Sequence, residues 1–288
     1  MTNTLILVIG ANGTVGSEVV KQLIQGGHRV RALVRDPVKA QKLGTSVEVV
    51  KGDLSKPETL AAAFVGVDKT FVLSPPIGPE FPELEGNAFN AAKKAGVKHI
   101  VKQSGSSSIE TFMAGSPFAE WGLESEKRLR ALDVAWTILR PGPFYSNVIT
   151  AWGIMPRGGL FLPAGNGKDQ PIDPRDIAAV AVKVLTTPGH EGKTYELTGP
   201  ELLSYAEVVQ IIATVTGKPL KYVNVPEAVW RQEMLGAGAP PFVVESMLSY
   251  FAGVRAGRLS VTSTVPELLG RPARSYEQWA KDHREALQ

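Results

Sequence analysis

Gly10, Gly13 and Gly16 stand three residues apart in the segment Gly10-Ala11-Asn12-Gly13-Thr14-Val15-Gly16, which follows the apolar run Leu5 to Ile9 and opens an amphipathic stretch. That spacing has a chemical use. Glycine at the first position permits a tight turn, at the second lets the backbone approach a diphosphate, and at the third lets helix pack closely on strand. The phosphates then sit at a helix N-terminus, where N–H groups without intrahelical partners and the positive dipole end attract anions. Strand, loop and helix in this order form a dinucleotide-binding pattern. The expected contacts are Gly10, Asn12, Gly13, Thr14, Val15 and Gly16.

Which dinucleotide binds is decided near the end of the second strand, about 20 residues beyond the last glycine. There the chain reads Leu33-Val34-Arg35-Asp36. A guanidinium at Arg35 can pair with a ribose 2′-phosphate, with Lys39 in support, so NADP(H) is preferred. NAD(H) is the alternative, because a register slip of one residue would turn Asp36 toward the ribose. After the third strand, Asp53 of Gly52-Asp53-Leu54 either accepts from the adenine amino group, with Leu54 behind the ring, or caps a helix starting near Pro57. Ser74-Pro75-Pro76 ends the fourth strand and is expected over the cofactor.

These residues need a scaffold that brings strand ends to one edge. Short β-branched runs at Leu5–Ile9, Arg29–Val34, Val47–Lys51, Lys69–Leu73 and His99–Gln103 alternate with amphipathic stretches, and Thr137–Arg140 and Thr194–Leu197 follow as further strands. Parallel strands need crossovers of that length, and right-handed crossovers give a Rossmann-type doubly wound α/β sheet. Residues 1–150 are expected to form this core, with returning segments near 170–200. Residues 151–288, rich in proline and glycine loops at first, are expected to form mainly a smaller α/β substrate-binding lobe.

Composition narrows the function classes. The 288 residues include no cysteine, which excludes disulfides and thiolate chemistry and fits a reducing cytoplasm. The 31 basic and 28 acidic residues leave a net charge of only +3, too little clustered charge for a nucleic-acid partner. The apolar runs are about half the ~20 residues of a membrane span, and no export signal is visible. His28, His99, His190 and His283 show no ligand spacing, so no metal site is expected. A monomer or homodimer remains open.

The glycine loop, Arg35, Gly52-Asp53-Leu54, Ser104 after the fifth strand and Trp136-Thr137-Ile138-Leu139-Arg140-Pro141-Gly142-Pro143-Phe144 with Asn147 together resemble the NmrA-like branch of the atypical short-chain dehydrogenases/reductases. Ile172-Asp173-Pro174-Arg175-Asp176-Ile177-Ala178 and Tyr195-Glu196-Leu197-Thr198-Gly199-Pro200 extend the similarity over most of the chain. The resemblance implies NADP(H), contacts to it from Pro141, Gly142 and Phe144, and either reduction of quinones, azo dyes or triphenylmethane dyes or redox sensing without chemistry. Typical short-chain dehydrogenases place a Tyr-x-x-x-Lys pair on the helix after the serine; here Gly122 and Glu126 occupy those positions. NmrA-like reductases often carry glutamate at the second position, so Glu126 matches and Gly122 departs. A conjugated acceptor takes hydride readily, and positioning it supplies most of the catalysis. The expected catalytic residues are Phe144 for stacking, with Tyr145 in support, Ser104 and Asn147 as hydrogen-bond donors to the acceptor, and Glu126 by resemblance.

Overall fold

A computed structural model describes residues 4–151 and 154–288. Its strands are β1 Leu5–Ile9, β2 Arg29–Val34, β3 Val47–Lys51, β4 Lys69–Val72, β5 His99–Gln103, β6 Ala135–Pro141, β7 Gly159–Leu162, β8 Lys168–Asp169, β9 Lys193–Leu197, β10 Leu203–Ser204 and β11 Lys221–Asn224. A seven-stranded sheet has the order β3-β2-β1-β4-β5-β6-β9. The pairs from β3 through β6 are parallel. This is the doubly wound Rossmann-type sheet expected from the alternating pattern, with the strand order reversing at β1 and β4.

The apolar strands explain the core. All five residues of β1 are buried, as a central parallel strand covered on both faces requires. Leu5, Leu7 and Ile9 pack with Leu60, Phe64, Phe89, Ile100, Leu129 and Ile138 on one face of the sheet. At about 25 cal/mol per Å² of apolar area, a leucine-sized side chain gains roughly 2 kcal/mol on burial, so this cluster is a main source of stability. Edge strand β3 is mostly exposed instead, with Val47 buried and Val50 half-buried.

The chain forms two compact units. Residues 1–104, 121–140 and 174–195 make the first, and residues 105–120, 141–173 and 196–288 the second. Segments 105–120 and 141–150, expected in the sheet core, therefore belong to the second unit. The reason is local: Tyr145 N–H donates to Ile172 O at 2.9 Å, Ile172 N–H donates to Pro143 O at 2.9 Å, and Phe118 N–H reaches Ser246 Oγ. Within that unit β11 runs parallel to β7 and β8 runs antiparallel to β10, strands of the expected α/β lobe, with β8 falling inside a segment rich in proline and glycine. Helices Tyr205–Thr216 and Pro241–Arg255 pack beside them. A capping box between Ser204 and Glu207 starts the first of these helices.

Candidate nucleotide and acceptor site

In the first unit, the expected residues gather at the carboxyl ends of β1 to β5, the edge where open α/β sheets bind ligands. Gly10 ends β1 in the left-handed region, φ +81°, and a Cβ there would lie 2.4 Å from Leu73 O. Helix Thr14–Gln25 follows with Gly13 as its N-cap, no side-chain cap and no acid in the first turn. Gly13 and Thr14 are exposed, so first-turn N–H groups are open to an anion. At Gly16 a Cβ would meet Gly10 O at 2.1 Å, so only glycine lets helix and strand approach this closely. Asn12 Oδ1 is buried without a hydrogen-bond partner.

The register at the end of β2 separates the two candidates for the ribose. Asp36 accepts from Val38 N–H at 3.0 Å and caps the short 3₁₀ helix Pro37–Leu43, so its carboxylate is engaged locally. Arg35 is exposed, with no carboxylate at ion-pair distance among the described residues. Asp53 does not cap a helix at Pro57, where Lys56 holds that position. Its Oδ1 accepts from Ser55 N–H at 3.0 Å and Ser55 Oγ at 2.8 Å. Those hydrogen bonds, then the charges of Arg35 and Lys56, hold its carboxyl below the usual range. Leu54 is half-buried against the core cluster.

Two groups at this edge were not singled out from sequence. Lys42 Nζ donates to Asn12 O at 2.9 Å, tying the 3₁₀ helix to the glycine loop. Beneath Ser74, whose Oγ donates to Glu85 Oε1 at 3.1 Å, Glu85 also pairs with Lys102 and accepts from Ser125. Glu85 and Lys102 are completely buried. The signal was available in part: Lys102 directly follows the apolar pair Ile100-Val101 in β5, and Glu85 falls between Phe81 and Phe89 on one face of helix Phe81–Lys94. Ser74 spends its one proton on Glu85, which leaves its lone pairs as acceptors. Pro75 is exposed and Pro76 half-buried. Ser104 follows β5; its N–H donates to Leu139 O at 2.7 Å, while its Oγ is buried with no partner.

Glu126 departs from expectation. It is 0% exposed, with Oε1 accepting from Arg140 Nε at 2.9 Å and Oε2 from Arg140 Nη2 at 2.6 Å. Arg130 adds a second contact at 2.9 Å. A carboxylate enclosed by two arginines has no exposed atom with which to reach a substrate, so it anchors the end of β6 instead.

In the second unit, Phe144 and Asn147 lie on one short segment. Phe144 is half-buried and bridges Ile172; Asn147 is half-buried and begins helix Asn147–Thr150. Tyr145 is 1% exposed, packs against Tyr276 and Trp279, and donates to Arg274 O at 3.0 Å. Alternate residues of an extended segment face opposite ways, so only Phe144 of the two aromatics is available for stacking. Pro141 and Gly142 are buried, and Gly142 N–H is taken by Leu197 O at 2.9 Å.

Comparison with known proteins bears on this arrangement. Residues 2–257 match the NmrA-like family. The chain belongs to that family. Among its relatives, this NmrA-like protein is 40% identical over 288 residues to the NAD(P)H azoreductase of Xenophilus azovorans, covering 98% of this chain and 99% of that one. The solved structure of an NADPH-dependent quinone oxidoreductase from Escherichia coli, complexed with NADPH, has a TM-score of 0.85 at 28% identity, covering 96% of this chain and 99% of that one. A Citrobacter sp. triphenylmethane reductase has a TM-score of 0.82 at 27% identity, covering 97% and 99%. Among the described residues no helix is long and apolar enough to cross a membrane, and no cluster of histidine and carboxylate side chains can hold a metal ion.

Proposed function

We propose that this protein is an NADPH-dependent reductase that delivers hydride to a conjugated small-molecule acceptor, such as a quinone or azo compound. The observation that carries the reading is an exposed Arg35 beside the cap-free N-terminus of helix Thr14–Gln25, with the competing Asp36 occupied by its own 3₁₀ helix. The glycine cradle and the orphaned Asn12 Oδ1 and Ser104 Oγ fit a dinucleotide: these polar atoms lack protein partners, and a Cβ at Gly10 or Gly16 would fill the cradle.

NADPH, when bound, supplies the hydride. The residues do the rest. First-turn N–H groups from Thr14 to Gly16 hold the diphosphate, Arg35 the 2′-phosphate, and Asp53 with Leu54 the adenine. Ser74 offers an acceptor and Ser104 a donor. Phe144 gives the acceptor an apolar face to stack on, and Asn147 an amide to orient it. Pro141 and Gly142 hold the backbone that carries Phe144. A cysteine-free chain suits a reducing cytoplasm, and the small net charge suits a neutral or weakly charged organic substrate rather than nucleic acid.

Titration of NADPH and NADH into the wild type and Arg35→Ala tests the cofactor assignment. A charge-assisted hydrogen bond contributes about 1.5–3 kcal/mol, so loss of Arg35 should weaken NADPH roughly ten- to hundredfold and leave NADH unchanged. Equal weakening of both cofactors would refute the role given to Arg35, and tight cofactor binding without turnover of any acceptor would favour a redox sensor.

A further inference from the structure

Four side chains of the first unit form a buried network beneath the carboxyl edge of the sheet, and one of them reaches the surface. Glu85, Lys102 of β5 and Ser125 of helix Pro117–Arg130 are each 0% exposed. Glu85 Oε2 pairs with Lys102 and accepts from Ser125 Oγ at 2.5 Å, while Glu85 Oε1 accepts from Ser74 Oγ at 3.1 Å. Lys102 Nζ also donates to Gln103 O at 3.3 Å and lies 5.3 Å from the centre of the Phe81 ring. Ser74 is half-buried, at the edge itself.

The chemistry of the network sets the direction of every hydrogen bond. An ammonium only donates and a carboxylate only accepts, so both serines give their single proton to Glu85. Ser74 therefore turns outward an oxygen with lone pairs and no proton, and the carboxylate behind it makes that oxygen a stronger acceptor. A buried ion pair is weak as a stabilising device, because apolar side chains of similar volume often do as well or better. Apolar side chains could fill this space, but they could not aim a hydroxyl.

Position decides which donor the hydroxyl meets. Ser74 lies just beyond β4, which neighbours β1 in the sheet. Leu73 O closes against Gly10, where a Cβ would stand 2.4 Å away. Ser74 thus borders the glycine cradle on the side away from β2 and β3, whose ends carry Arg35 and Asp53. With the adenosine half assigned to β2 and β3 and the diphosphate to the cradle, the next group along a dinucleotide, the nicotinamide-side ribose, falls to β4. Its hydroxyls are donors. An oxygen that only accepts also repels phosphate, so the same network keeps the diphosphate at the helix N-terminus.

We propose that Ser74 accepts from a hydroxyl of the nicotinamide-side ribose, and that Glu85, held by Lys102 and Ser125, is the positioning residue that sets Ser74 to do so. This rests on the dinucleotide reading of the glycine cradle. No proton is transferred, and the network acts through one hydroxyl.

Calorimetric titration with two ligands tests it without turnover. NADPH carries the second ribose; adenosine 2′,5′-bisphosphate carries the adenosine half with its 2′-phosphate and lacks that ribose. Losing a hydrogen bond and leaving its donor unsatisfied changes affinity about tenfold. Ser74→Ala should therefore weaken NADPH about tenfold and leave the bisphosphate within twofold of the wild type. The pair variant Glu85→Leu with Lys102→Met removes both charges together, so neither is stranded. It should show the same selective loss, and adding Ser74→Ala to it should cost less than a further twofold. Losses that multiply, a pair variant that binds NADPH as the wild type does, or equal weakening of both ligands would overturn the proposal. If the pair variant does not fold, Ser74→Ala still decides: unchanged NADPH affinity, or parallel loss of both ligands, overturns it. A wild type that binds neither ligand would mean that the dinucleotide reading has failed instead.

Discussion

Replacing Gly16 by alanine tests the glycine cradle in a way that sets two effects against each other. In a helix interior alanine is favoured over glycine by about 1 kcal/mol. Against this, the new Cβ would stand 2.1 Å from Gly10 O and 2.6 Å from Gly10 C, where ordinary contact begins near 3.4 Å. Helix and loop must separate by about 1.3 Å, the difference between those two distances. Overpacking of this kind costs about 1–3 kcal/mol, so steric cost should win. The same shift moves first-turn N–H groups away from the diphosphate. Losing one charge-assisted hydrogen bond, about 1.5–3 kcal/mol, weakens NADPH at least about tenfold. Gly86→Ala is the control: it lies within helix Phe81–Lys94, and its Cβ would meet Arg128 no closer than 3.5 Å. That substitution should stabilise by about 0.5–1 kcal/mol. Chemical denaturation and calorimetric NADPH titration of both variants are the assay. A Gly16→Ala protein as stable as the wild type and binding NADPH equally well would refute the reasoning.

The same geometry sets other outcomes. His99 is 2% exposed, and burial followed by the charge of Lys69 lowers its pKa from 6.5 to about 4. Its neutral form therefore contributes stability that is present above about pH 6.5 and lost as pH falls toward 4, about 2 kcal/mol by pH 5; urea unfolding should show this slope in the wild type and not in His99→Asn. Glu126→Ala should cost about 1.5–3 kcal/mol in denaturation, because it removes charge-assisted hydrogen bonds made to buried Arg140; a cost under 1 kcal/mol would contradict the buried bridge. Ser104→Ala should leave the melting temperature unchanged, since Ser104 Oγ has no partner to lose, while kcat/KM for the acceptor falls about tenfold.

Much of the first unit was legible because its signals are local. Strands as apolar as Leu5–Ile9, separated by amphipathic helices, admit few arrangements, and the glycine spacing fixes the turn and the helix that come after β1. The features that escaped depended on one-residue differences or on distant partners. Arg35 is preferred from sequence over its neighbour Asp36, whose engagement with Val38 N–H only the fold shows. Phe144 and Tyr145 are equivalent as sequence, yet Tyr276 and Trp279, more than 130 residues away, bury one of them. Glu126 looks like an exposed helical glutamate until Arg140 is folded onto it. The two-residue strand β8 is too short to show a period, so it lay inside an apparent loop.

Reduction of conjugated acceptors with NADPH by this NmrA-like protein is tested most directly by anaerobic mixing of the purified protein with NADPH and a panel of quinones, azo dyes and triphenylmethane dyes. The expected result is stoichiometric loss of NADPH absorbance with acceptor reduction, faster with NADPH than with NADH, and abolished preference in Arg35→Ala. NADPH bound tightly but left unoxidised by every acceptor would contradict it.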